Sequence, residues 1–133
     1  MIIDGKEIII KMKGKIYHCA MDVTMDFIGG KWKTVILWYL RSGAKRFSEL
    51  KKHIPAITEK MLTLQLRELE SKGILKRKIY REVPPRVEYF LTEEGKTMIP
   101  MLEEIAAWGR RKSKNEGKTE EIVREKKKLI LVR

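Results

Sequence analysis

Residues 54–73 read IPAITEKMLTLQLRELESKG, and the fold follows from this stretch. Pro55 ends whatever helix precedes it, because proline lacks the amide hydrogen and its ring clashes with the previous turn. Thr58 then offers a side-chain oxygen where a new helix needs a cap, and Gly73 is the residue type at which helices most readily stop. Between them Leu62, Leu66 and Leu69 stand at i, i+4 and i+7. At about 100° per residue they form one stripe, which must face a core. Lys60, Thr63, Leu64, Arg67 and Ser71 fall on the opposite side. The stretch therefore predicts a helix with an apolar back and a polar, basic front.

Upstream, Ser48 is expected to cap a short helix that carries Leu50 and Ile54 and stops at Pro55. A short helix, a turn of about four residues and a longer helix with a free front make a helix-turn-helix, in which the first helix braces the second and the second enters a major groove. Lys45-Arg46-Phe47 reads as an extended link. Before it, a helix from Lys31 to about Arg41 repeats Trp32, Val35, Ile36, Tyr39 and Leu40 at helical spacing and ends at Gly43. A shorter helix capped by Asp22 ends at Gly29-Gly30.

Downstream, Ile74–Tyr80 and Val87–Leu91 are strand-like and flank Arg81-Glu82-Val83-Pro84-Pro85-Arg86, which predicts a hairpin with a stiff tip. A basic hairpin directly after the recognition helix is a wing. Thr92 then caps a helix to about Lys112 with the stripe Met98, Leu102, Ile105 and Trp108, and Ala106-Ala107 admit close approach of another helix. The predicted class is mainly α with a small β-wing: a winged helix-turn-helix domain over 19–112. An N-terminal extension covers 1–18, where Asp4-Gly5 between apolar runs signals a hairpin turn, and a basic tail covers 113–133. The apolar run Leu129-Ile130-Leu131-Val132 is expected to pair with the N-terminal strands or with a partner subunit.

The chain has 133 residues, one ordinary domain, and a net charge of +12. Only the segment 92–111 is not net positive, a distribution suited to one face turned toward a polyanion. Early apolar runs are too short for a signal peptide or a bilayer span, and one cysteine forms no intrachain disulfide, so a cytoplasmic protein that engages no membrane is expected.

The motifs resemble a known family. Cys19 followed by Phe27-Ile28-Gly29-Gly30-Lys31-Trp32-Lys33, then Arg46-Phe47-Ser48-Glu49-Leu50, Lys60-Met61-Leu62-Thr63, Gln65-Leu66-Arg67-Glu68-Leu69-Glu70, Glu82-Val83-Pro84-Pro85-Arg86-Val87-Glu88-Tyr89 and Leu91-Thr92-Glu93-Glu94-Gly95 look like the HxlR-type regulators, in order over residues 19 to about 109. The resemblance implies a DNA-binding transcription regulator of bacteria or archaea with a dimer built from terminal helices. The extension before Cys19 and the tail after Arg111 lie outside the family core. Position 64 is Leu, where many members place a polar residue; an exposed leucine there could meet a thymine methyl.

The candidate DNA-binding residues are Thr58, Lys60, Thr63, Leu64 and Arg67 on the helix, with Arg81 and Arg86 on the wing. Lys60 and Arg67 suit phosphates or guanine edges. The competing reading of Arg86 pairs it with Glu82 or Glu88 inside the hairpin. For Cys19, which stands just before an expected helix start, the resemblance implies a thiol sensor of oxidants or electrophiles; whether Lys15 or Lys31 lies near it is left open by the sequence, and the plainer reading is a small packed hydrophobe. His18 and His53 stand on different elements, so no four-ligand metal site arises from one chain, and no catalytic residue, metal or cofactor is expected. Trp32, Trp38 and Trp108, with Phe27 and Tyr39, read as core and dimer packing rather than a ligand cavity. The expected partners are double-stranded DNA, a second copy of the chain and a small-molecule or redox inducer. A winged-helix RNA-binding or nucleoid-packaging protein uses the same basic surface and is the rival reading.

Overall fold

The computed structural model describes residues 2–117, 120–125 and 128–132, with side chains for 2–117 and 120. The chain divides into two compact units, Met1–Ile99 and Pro100–Arg133. In the first, two small hairpins, β1 (Ile2–Ile3) with β2 (Lys6–Glu7) and β3 (Ile10–Met12) with β4 (Lys15–Tyr17), precede α1 (Ala20–Ile28) and α2 (Lys33–Leu40). Then come β5 (Lys45–Arg46), α3 (Phe47–His53), α4 (Glu59–Ser71), β6 (Leu75–Tyr80), β7 (Arg86–Leu91) and the short α5 (Glu93–Lys96). The second unit holds α6 (Ile99–Glu116, entered at Pro100) and a hairpin of β8 (Glu121–Glu125) and β9 (Lys128–Val132). This is a winged helix-turn-helix fold. Among the described residues no helix is long and apolar enough to cross a membrane.

The core of the first unit is aliphatic. Ile36, Leu37 and Leu40 of α2, Leu50 of α3, Leu62, Leu66 and Leu69 of α4, and Ile74, Leu75 and Leu91 of the wing base are all buried. At roughly 1.5–3 kcal/mol per buried aliphatic side chain, these residues hold the three helices against the wing. The tryptophans take no part in this buried set: Trp32 and Trp38, expected in core or dimer packing, are half-buried with Lys31 and Arg41 stacked on their faces, and Trp108 is 60% exposed. Aromatic spacing does not distinguish a core face from a helix flank that a cation covers.

Several boundaries differ from expectation for local reasons. Helix α1 starts at Ala20 with Cys19 as its cap residue, and Asp22 sits inside the first turn, its carboxylate accepting from the His18 backbone N–H at 3.2 Å. Helix α3 starts at Phe47, one residue before Ser48, because Glu49 reaches back to accept from the Arg46 N–H at 3.0 Å. The helix expected from Thr92 to about Lys112 is two helices. Thr92 caps α5, its oxygen accepting from the Gly95 N–H at 3.0 Å, and Pro100 lies in the first turn of α6, where its missing N–H costs nothing. Gly95 has no room for a side chain, since a Cβ there would lie 2.2 Å from the Ile74 carbonyl oxygen.

The wing is a three-stranded sheet in the order β5-β7-β6. Strands β6 and β7 pair in register from Leu75↔Leu91 to Tyr80↔Arg86, while β5 adds Lys45↔Tyr89 and Arg46↔Glu88. The terminal segments each close on themselves: β1 pairs with β2 across Asp4-Gly5, both at positive φ, and β8 pairs with β9. A second hairpin turn, Lys13-Gly14, repeats the positive-φ pair and had no Asn or Asp to signal it.

Tyr17 of β4 is buried and its hydroxyl donates to Asp26 at 2.7 Å, while Lys72 and Lys15 bring their ammonium groups to 3.2 and 3.3 Å from the same carboxylate. These partners, the Tyr17 hydroxyl foremost, hold the Asp26 carboxyl at about 2, below its usual 3.8. A carboxylate with a lowered folded-state pKa stabilises the fold above its unfolded pKa and loses that contribution as pH falls toward the folded value. Asp26→Asn is therefore expected to lower the thermal midpoint at pH 7, and the gap to wild type should close between about pH 4 and 2. A gap that persists unchanged at pH 2 removes the ion cluster as its cause.

Candidate nucleic-acid interface

The recognition helix is α4. Thr58 adopts extended backbone at its cap position and its side-chain oxygen accepts from the Met61 N–H at 3.1 Å, which relieves one of the unpaired amides of the first turn. Gly73 takes φ +75° just past the helix, so the chain can turn at once into the wing. Leu62, Leu66 and Leu69 are 0%, 1% and 0% exposed, whereas Lys60, Leu64, Arg67 and Ser71 are exposed and Thr63 is half-buried. The inward stripe thus sets the rotation of the helix, and rotation sets what the front presents.

Two ion pairs beyond the leucines fix this helix. Lys33 of α2 is buried, and its ammonium group donates to Glu68 in a close ion pair. On the other flank Arg77 of β6 meets Glu70 at 3.2 Å. Tyr89 of β7 lies on the same side of the wing; burial pushes its phenol up, and its ring senses the charges of Arg77, Glu70 and Arg67. The wing is therefore clipped to the recognition helix. Neither Lys33 nor Arg77 was singled out in the sequence, because a buried lysine among charged neighbours looks like a solvated one until its partner is placed.

The candidate residues separate on inspection. Thr58, Lys60, Thr63, Leu64 and Arg67 lie on one helix, and among the described residues neither Lys60 nor Arg67 makes a hydrogen bond or ion pair. Arg81 is exposed at the wing tip beside Val83, which is wholly exposed. Arg86 behaves otherwise. It meets Glu82 at 3.2 Å and Glu88 at 3.5 Å, and its guanidinium stacks 3.9 Å from the Tyr80 ring centroid. Its Nε is buried and lacks a partner with hydrogen-bond geometry. Arg86 thus makes the internal pairs of the competing reading, while Arg81 stands exposed at the tip. Arg46, read as a link, instead stands exposed at the start of α3 and lines a groove of about 490 Å³ with Ser48, Val83 and Pro84. Its place at the head of the Arg46-Phe47-Ser48-Glu49-Leu50 motif, just before a helix start, was the sequence signal for it.

Cys19 is half-buried and caps α1 through its backbone, its carbonyl accepting from the Val23 N–H at 3.3 Å. Lys15 pairs with Asp26, and the Lys31 ammonium lies over the Trp32 ring. Among the described residues no three His, Cys, Asp or Glu side chains converge as metal ligands.

Comparisons with known proteins agree with this geometry. The model of the family described as HxlR-like helix-turn-helix matches residues 27–117. An HTH-type transcriptional regulator of Methanothermobacter thermautotrophicus is 53% identical over 94 residues, which are 71% of this chain and 72% of the relative. The redox regulator HypR in its oxidized form superposes with a TM-score of 0.68 at 48% identity, covering 70% of this chain and 96% of that one. Quinone-bound YodB from Bacillus subtilis superposes at 0.58 with 33% identity, covering 68% and 96%.

Proposed function

Because this chain belongs to the HxlR-like helix-turn-helix family, we propose that it regulates transcription in the cytoplasm by binding a roughly palindromic operator as a homodimer. The observation that carries this reading is the stripe Lys60, Leu64 and Arg67 standing outward over three buried leucines. Such a face fits a major groove with its cations toward phosphates or guanine edges, while Thr58 and Arg81 reach the flanking backbone. Thr58 accepts within its cap and still has its hydroxyl proton to donate to a phosphate.

Dimerisation is supported by apolar residues that each unit leaves in solvent: Met21 and Met25 on α1, and Ile105 and Trp108 on α6. A symmetric pair of such helices sets two recognition helices one helical turn apart, or a multiple of it. For the signal, the likeness to a redox regulator and to a quinone-bound structure supports a thiol-reactive or small-molecule inducer acting through Cys19. A change at the start of α1 would alter the spacing of the recognition helices and so the affinity.

The test is a footprint of the DNA flanking the gene, set against random duplex and RNA at matched salt, with and without diamide or a quinone, alongside sedimentation of the chain and of Trp108→Glu. A protected palindrome is expected, released by the thiol reagent, with dimer affinity weakened more than about ten-fold by the tryptophan change. Equal affinity for operator, random DNA and RNA favours the packaging reading instead. A chain that stays monomeric on its operator overturns the dimer.

A further inference from the structure

On the reading of α4 as the duplex-facing helix, we infer that Leu64 is a specificity-determining residue that packs against the C5-methyl group of a pyrimidine, thymine in unmodified DNA. Leu64 is 47% exposed between Lys60 at i−4 and Arg67 at i+3, so the outward stripe runs cation, leucine, cation. Single exposed leucines are ordinary on surfaces, and exposure alone assigns nothing. The neighbouring polar side chains are what single it out.

Thr63 donates its hydroxyl proton to the Glu59 carbonyl at 2.9 Å. Gln65 turns its amide back along the helix, donating to the Met61 sulfur at 3.3 Å. The two polar side chains in the middle of the helix are thus engaged within it, and the base-facing centre between Lys60 and Arg67 is left to Leu64. A leucine discriminates bases by apolar contact alone, and the one apolar feature on the major-groove edge of a base pair is the thymine methyl. Leu64 also lies in the N-terminal half of α4, the part of a recognition helix that reaches base edges. Each half-site should therefore hold one thymine whose methyl matters, flanked on either side by contacts that Lys60 and Arg67 make to phosphate or guanine.

The experiment uses the full chain and duplexes enriched from a random library. Each thymine of the enriched half-site is replaced in turn by uracil, which removes only the methyl, and binding is measured by fluorescence anisotropy for wild type, Leu64→Ala and Leu64→Gln. At one thymine per half-site, uracil should weaken wild type about four-fold, the worth of one buried methyl, and should leave both variants within about 1.5-fold. If every thymine tolerates uracil in wild type, or if the variants lose as much as wild type, Leu64 does not read the methyl. A four-fold gain for 5-methylcytosine over cytosine with no thymine effect likewise overturns thymine as the source. Failure of the underlying reading looks different: the library then yields no enriched sequence at all.

Discussion

Lys60→Ala/Arg67→Ala is expected to weaken operator binding at least about 100-fold at moderate salt while leaving the fold intact. Both side chains are exposed and make no hydrogen bond or ion pair among the described residues, so their removal should change unfolding free energy by no more than about 0.5 kcal/mol. In a dimer the double substitution removes four cations from the duplex-facing surface. If all four meet phosphate, the slope of log affinity against log salt falls by about 3–4, because fewer counterions are released on binding. If they meet guanine, the slope changes less, and discrimination against mismatched sites drops by about 1–3 kcal/mol per lost contact. Salt titrations on operator and mismatched duplex separate the two roles. Duplex affinity that survives the joint removal would show that α4 does not face DNA.

The second large effect concerns stability. Leu66→Ala should cost about 2–5 kcal/mol in urea unfolding, since the leucine is fully enclosed between α4 and its supporting helices and its loss leaves a cavity. Against a typical total of about 5–15 kcal/mol, that is a large fraction, and the midpoint for a domain of this size should fall by ten degrees or more. Leu64→Ala, two residues earlier on the same helix, should stay within about 0.5 kcal/mol of wild type. The contrast is a direct measure of helix rotation. Equal costs at 64 and 66 would mean that the helix is not seated on the 62/66/69 stripe, and the assignment of its front would go with it.

Arg86 and Lys33 show how far residue type alone carries a site. Both are cations in a basic chain; Arg86 read as a candidate for a duplex or for an internal pair, and Lys33 carried no reading of its own. In the structure Arg86 is gathered by Glu82, Glu88 and Tyr80, and Lys33 by Glu68, 35 residues away. A charge on a short hairpin or under a helix is held by whichever counter-charge the fold brings within reach, and sequence distance does not report that. By contrast Lys60 and Arg67 were legible, because their exposure follows from the helical period of their own apolar neighbours.

What the amino-acid order determined by itself was everything set within one or two turns of chain: the break at Pro55, the cap at Thr58, the stop at Gly73, the wing hairpin and the rotation of α4. Local sterics and a 3.6-residue period decide those features before any distant contact forms. The tertiary structure alone decided the third wing strand, where Lys45-Arg46 pairs with residues more than forty positions later, and the clip from Arg77 to Glu70. It also decided that Arg86 of the wing tip pairs with Glu82 and Glu88. Each of these depends on groups that meet only after the helices have packed, and the energy of such a meeting is set by burial and geometry that no local pattern encodes.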